Sequence, residues 1–456
     1  MQYRIEHDML GEKNVPADAY YGIHTLRATE NFPLSGRRVR PELIRALALV
    51  KKACCQANAE LGFLDEKIAA AIGSACDEIR AGNFSDQFIT DALQGGAGTS
   101  TNMNINEVIA NRALELSGAA KGDYHKISPL DHVNLHQSTN DVYPTALKVA
   151  AALQLRELSE RLAALQASFQ EKEKEFGDIV KIGRTETQDA VPMTLGAEFS
   201  AFAEAFARDR WRTFKAEERI RTVNLGGTAV GTGLTAPRRY IFLVIEKLRE
   251  LSHLGLSRGE NCVDQTANQD AFVEVSATLK ACAVNFRKIA RDLRQLHMLG
   301  EIRLQPVQAG SSIMPGKVNP VIPESIIQGA MSVVACDQVV TDCAASGTLQ
   351  INEFMPLLAD SLLSALDILC RLAVMLKQCV DNLSADPERC RELFDACPML
   401  ITAFIPSVGY ERALELLEEF RNSGNTDIRA FLKTRLDPEL VESVLRPQNL
   451  VALGHR

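Results

Sequence analysis

The 456-residue sequence predicts a mainly α-helical protein built on a bundle of elongated helices. Three observations predict it. Alanine- and leucine-rich stretches run longer than ordinary globular helices, their apolar residues recur at steps of three and four, and strand signals are sparse. In the stretch Thr145 to Phe176, residues Leu147, Ala150, Ala151, Leu155, Leu158, Leu162 and Leu165 form one helical stripe. Gln269 to Leu299, Pro323 to Ala345 and Pro356 to Asn382 continue this texture. Several of these stretches exceed 20 residues, a length that suits a bundle.

Taken in order, residues 1–140 read as an N-terminal domain of short helices alternating with loops rich in Gly, Asn, Ser and Thr. Residues 141–385 carry the long helices. Residues 386–456 form a smaller C-terminal domain, with helix starts at Asp386-Pro387-Glu388 and Asp437-Pro438-Glu439. Extended chain is expected at Val15 to Tyr21 and around the turn Thr222 to Thr235. Several long helices are apolar on more than one face, which predicts a homo-oligomer, with a large monomeric bundle as the alternative.

A net charge of -8 argues against nucleic acid as a partner, since phosphate binding wants a basic surface. A small anion remains compatible, because a few local cations hold one. No apolar run approaches the roughly 20 residues of a membrane span. Met1 to Asp8 lacks the apolar core of a secretory leader, so a cytoplasmic protein is expected. The 11 cysteines show no Cys-x-x-Cys and no repeating spacing, which reads as reduced, buried thiols. The eight histidines, from His7 to His455, are scattered, and none is expected to bind metal. His136 reads as a structural or supporting residue.

Four polar segments interrupt the helices. Gly310 to Pro320 (GSSIMPGKVNP) places Ser311, Ser312, Lys317 and Asn319 in one loop, with glycines and prolines restricting its shape. An ordinary surface loop does not account for one cation set among hydroxyls and an amide. Gly95 to Asn104 precedes a helix, so that Thr99 and free N–H groups form a carboxylate cradle. Taken alone, His136 to Asp141 reads as a helix cap and Gly183 to Ala190 as a turn with a surface charge pair.

Together these segments resemble the aspartase/fumarase superfamily, and the loop Gly310 to Pro320 is similar to its signature. The runs Val15 to Ala28 and Val223 to Leu234 resemble those of aspartate ammonia-lyases in particular. The resemblance implies an aspartase/fumarase-type long-helix bundle at the core of a homotetramer, each active site shared by three chains. It implies elimination of ammonia from L-aspartate, or a similar small dicarboxylate, to give fumarate. It implies that no cofactor is strictly required, although a divalent cation such as magnesium activates some members. Ser311 would be the base that takes a carbon-bound proton and generates an aci-carboxylate, with Lys317 supplying positive charge. Thr99, Ser138, Thr139 and Ser312 would hold one carboxylate, Asn140 the amino group, and Thr185 and Asn319 the other end.

The sequence departs from the family at several points. Glu186 stands where His or Gln is usual, and Glu324 matches the glutamate that pairs with that His. Two carboxylates facing each other would raise one pKa. Alternatively, Glu186 grips a cationic group on substrate, turns to solvent or pairs with Arg184. The segment 295–302 is short by a few residues, and the residues around Glu353-Phe354-Met355-Pro356 and Phe404-Ile405-Pro406 also differ. These departures bear on the substrate and leave three rivals: a lyase for a substituted aspartate, a fumarate hydratase and a catalytically silent scaffold.

Overall fold

The computed structural model describes residues 2–452 and 454, and divides into two compact units. His455 lies outside the described residues. The first unit comprises Met1–Leu158, Arg212–Ala281 and Ser332–Leu369, and the second Ser159–Trp211, Cys282–Met331 and Cys370–Arg456.

The first unit opens with an antiparallel hairpin, β1 (Tyr3–Asp8) and β2 (Gly11–Pro16). The helices α1 (Ile23–Asn31), α2 (Pro41–Glu60), α3 (Glu66–Arg80) and α4 (Thr99–Leu116) follow. Pro41 starts α2 with its preset φ, and Asp65 caps α3 by accepting from the Lys67 and Ile68 N–H groups. Leu43, Leu47, Val50, Ile105, Ile109, Leu147 and Val244 are buried in its interior. The start of α1 is closed by Glu107, a buried carboxylate on α4. It accepts from the backbone N–H groups of Gly22, His24 and Thr25 and from the Thr25 hydroxyl.

The long helices are α5 (Thr139–Glu175), α6 (Leu195–Arg219), α9 (Asp270–Leu299), α10 (Val321–Ala345) and α11 (Met355–Asp381). Between them lie β3 (Val180–Thr185), β4 (Gln188–Thr194), α7 (Arg238–Ser252) and the short α8 (Cys262–Ala267). Four of the long helices match the stretches read from the sequence to within six residues at either end. Helix α5 begins at Thr139, well before Pro144, because Ser138 and Asp141 already organise its first turn. Pro144 lacks the N–H that would bond the Asn140 carbonyl, and the Asn224 side chain donates to that carbonyl instead, at 2.9 Å.

In the second unit, β3 and β4 form a hairpin whose Val180 and Ile182 pack into a core of Phe394, Leu400, Phe404, Leu416 and Phe431. A separate aromatic cluster joins Phe169, Phe176, Phe199, Phe202, Phe206 and Phe286. Asp386 and Asp437 cap helices at Pro387–Asp395 and Pro438–Val444, where the sequence placed helix starts. The strand expectations need correction. Of Val15 to Tyr21 only the first two residues are strand, and Thr222 to Thr235 is a two-residue strand followed by turns. The longer extended segments are the two hairpins. Helices α2 and α4, 20 and 18 residues long, are also longer than the short segments expected before residue 140. Among the described residues, no helix is long and apolar enough to cross a membrane.

Candidate active site

In the first unit, Thr99, Ser138, Thr139 and Asn140 come together at two helix starts. Thr99 is the first residue of α4, exposed, and follows Gly98, whose φ is +94°. A side chain at Gly98 would run into the ring of buried Tyr143, so glycine is required twice over. Thr139 is the first residue of α5. Asn102, one turn into α4, donates to the Thr139 hydroxyl at 3.1 Å, which ties the two helix starts together. The Ser138 hydroxyl accepts the Asn140 N–H, and Asp141 accepts the Ser138 N–H, so the segment caps its own helix. Asp141 also accepts from the N–H groups of Gly226 and Thr228, pinning the glycine-rich turn beside it. Burial pushes its carboxyl up to about 6 against the pull of those three N–H groups. The Asn140 amide is engaged too, donating to the Ala229 carbonyl at 2.7 Å.

The second unit holds the other candidates. The loop 310–320 is closed on itself: the Gly310 N–H donates to the Lys317 carbonyl at 2.7 Å, and the Asn319 amide donates to the Gly310 carbonyl at 3.0 Å. A Cβ at Gly310 would press on both Lys317 and Asn319, so the closure needs glycine. Inside this loop the Ser311 Oγ accepts two backbone N–H groups, from Ile313 at 3.2 Å and Met314 at 2.9 Å. Donors aimed at that oxygen favour a negative charge on it. Ser311 is half-buried, whereas Ser312 and Lys317 are exposed. Asn319, expected to face substrate, spends at least one amide hydrogen on holding the loop.

Thr185 and Glu186 sit at the tip of the β3–β4 hairpin, both exposed. Glu186 and Thr187 have φ of +50° and +63°, the two left-handed residues of a tight hairpin turn. Arg184 is committed elsewhere, to Asp189 at 2.9 Å and Glu301 at 2.7 Å. Glu301 is 0% exposed and also meets buried Lys181 at 2.8 Å, which in turn pairs with Glu198. Glu324 lies exposed in the first turn of α10. The sequence reading missed Asp141, Glu301 and Lys51, which support the candidates from beneath. Lys51 alone left a signal, as a charge within the apolar stripe Leu47, Cys54, Cys55. Among the described residues, no group of three His, Cys, Asp or Glu side chains is placed to hold a metal ion.

A family of proteins described as lyases matches residues 11–335, most of the chain. The chain belongs to this lyase family. It falls in the aspartase/fumarase superfamily and is an enzyme of the lyase class. It is 44% identical to an aspartate ammonia-lyase of Bacillus subtilis, over 99% of this chain and 97% of that protein. It is 45% identical to one of Pseudomonas aeruginosa, over 98% and 97%. Among solved structures, a fumarate lyase:delta crystallin from Brucella melitensis bound to cobalt superposes with a TM-score of 0.94 at 47% identity, covering 99% of this chain and all of that one. A class II fumarase from Schistosoma mansoni gives 0.91 at 30% identity, covering 98% and 99%. The mainly α fold with long helices is thus that of the superfamily.

Proposed function

We propose that this lyase is an aspartate ammonia-lyase, converting L-aspartate reversibly to fumarate and ammonia. The observation that carries the reading is the Ser311 oxygen, cradled by two backbone N–H groups in a self-closed loop. Relatives bearing that name at 42–45% identity over nearly the whole chain support it.

The chemistry follows from what such a site does. Ser311, as alkoxide, takes the proton from the carbon beside one carboxylate, and the electron pair left behind spreads into that carboxylate as an aci-carboxylate dianion. That pair then forms the double bond as the C–N bond breaks and ammonia leaves. Thr99, Ser138, Thr139 and Ser312 hold one carboxylate and Asn140 the amino group, while Thr185, Lys317 and Asn319 hold the other end. The same proposal includes a homotetramer with each site shared by three chains, a cytoplasmic location and the three-part division 1–140, 141–385 and 386–456. Any activation by a divalent cation such as magnesium finds no three-ligand cluster among the described residues of one chain, and no step is routed through a metal.

Adding L-aspartate at mildly alkaline pH and following absorbance in the fumarate band tests the reading. Steady growth is expected; a flat trace from a folded protein rejects it. Incubating fumarate with and without ammonium separates it from a hydratase. A second reading, a lyase for aspartates bearing a cationic group, draws on Glu186, which stands exposed while the neighbouring Arg184 pairs with Asp189 and Glu301. A panel of substituted aspartates decides between the two.

A further inference from the structure

Lys51 is 0% exposed in the middle of α2. Its ammonium donates to Asn134 Oδ1 and Gln137 Oε1, both at 2.9 Å, and neither acceptor carries charge. Asn134 Oδ1 also accepts from Asn102 and Asn106, each at 3.2 Å. Three donors therefore converge on one amide oxygen, and Asn102 extends the chain of bonds to the Thr139 hydroxyl. The Asn102 and Asn106 side-chain oxygens are themselves buried without a hydrogen-bond partner. A buried cation bonded only to amides is a poor stability device, since an apolar side chain would avoid its desolvation. Its position explains it better. Asn102 and Asn106 lie in the first turns of α4, and Asn134 and Gln137 lead into α5, so the charge stands behind two helix starts that already carry positive partial charge.

We propose that Lys51 is a positioning residue for the substrate's carboxylate: from behind, it fixes the segment that presents Ser138, Thr139 and Asn140 beside Thr99, and adds positive potential there. This rests on the reading above that those four residues bind a dicarboxylate. Lys51 therefore acts on affinity for the anion more than on the chemical step. Burial draws its ammonium down to about 8. The titratable groups that face it are Cys54 on α2, Cys76 on α3 and Asp141 on α5. A bound anion favours the protonated form, so binding near pH 8 takes up protons.

The test compares the wild type with Lys51→Met, Lys51→Arg and Asn134→Asp. The readouts are calorimetric succinate binding in buffers of differing ionisation heat, and L-aspartate kinetics. In Lys51→Met the succinate Kd and the aspartate KM rise tenfold or more, kcat changes by less, and proton uptake on binding disappears. Lys51→Arg recovers part of the affinity. Asn134→Asp gives the ammonium an ion-pair partner at the loss of the amide's bond to the Gln137 carbonyl, and it raises Kd similarly; Lys51→Arg, which keeps the charge, is the variant expected to fold even if Lys51→Met does not. A Kd within twofold of wild type in the folded variants, or a loss of kcat with Kd unchanged, overturns the role of Lys51. If aspartate is turned over while succinate binding is normal in the variants, Lys51 alone is ruled out. A wild type that neither binds succinate nor forms fumarate removes the aspartate reading along with it.

Discussion

In the role proposed above, Ser311 is a weak acid prepared for use as a base. A serine hydroxyl does not ionise readily in water, but the Ile313 and Met314 N–H groups already point at its oxygen and need no rearrangement to stabilise an alkoxide. Ser311→Ala is expected to lower kcat by about a thousandfold or more, with an unchanged melting temperature; a mutant of near-normal rate would remove serine from the base role. Glu107 offers a second residue-level expectation. Burial raises its carboxyl from 4.5 to about 7, so the folded protein holds a proton there that the unfolded chain has released. The corresponding stability is complete below about 4.5 and is lost as pH rises through about 7. Glu107→Gln keeps the group neutral, so its melting temperature should gain on the wild type between pH 4.5 and 7 and hold level above. A difference independent of pH would contradict this. At this scale the sequence pointed to loop and helix-start candidates, Ser311, Lys317 and Thr99, whose roles are those proposed above. It was silent on Glu107 and Asp141, because the worth of a buried charge depends on which backbone N–H groups arrive from 80 or so residues away.

At the level of elements, the β3–β4 hairpin is held by charge as much as by packing. Glu301 is buried against Lys181 and Arg184, and its removal leaves two cations short of a partner. Glu301→Ala is expected to destabilise the protein by about 3–5 kcal/mol, seen as a lower denaturant midpoint. A loss of less than about 1 kcal/mol would mean that Glu198 and Asp189 suffice. The sequence reading saw the turn and its charge pair, and both are present as Glu186-Thr187 and Arg184–Asp189. The strands escaped it because buried Lys181 and the glycine at 183 break the alternation that marks a strand. Helix α6 escaped for the opposite reason, its C-terminal half being crowded with charge from Arg208 to Arg219. Four other long helices were legible because their apolar repeats run uninterrupted for many turns.

Across the whole molecule, the long helices leave large apolar side chains exposed on one chain: Trp211 and Phe214 on α6, Val284 on α9 and Met331 on α10. The homotetramer proposed above predicts that they meet other copies. Light scattering on the wild type should give a mass near four times the 50.0 kDa chain, and Trp211→Glu should shift it to smaller species with reduced activity. A wild-type monomer of full activity would refute site sharing. The superfamily was legible from the loop 310–320 together with the spacing of the other polar segments, because such a constellation is set by the reaction. The substrate is less legible, since it turns on Glu186, a single position exposed at a hairpin turn.

Pro144 has a wider consequence. By withholding one N–H, it frees the Asn140 carbonyl for Asn224, and so fastens the opening of the longest helix to a turn some 80 residues further along the chain. Two stretches remote in sequence thus share a single joint, and evolution cannot edit either independently. A drift from Pro144 to alanine would let the helix reclaim its own bond, leave the buried Asn224 amide with only its bond to the Thr266 hydroxyl and loosen the glycine-rich turn, although no residue assigned to chemistry had been altered.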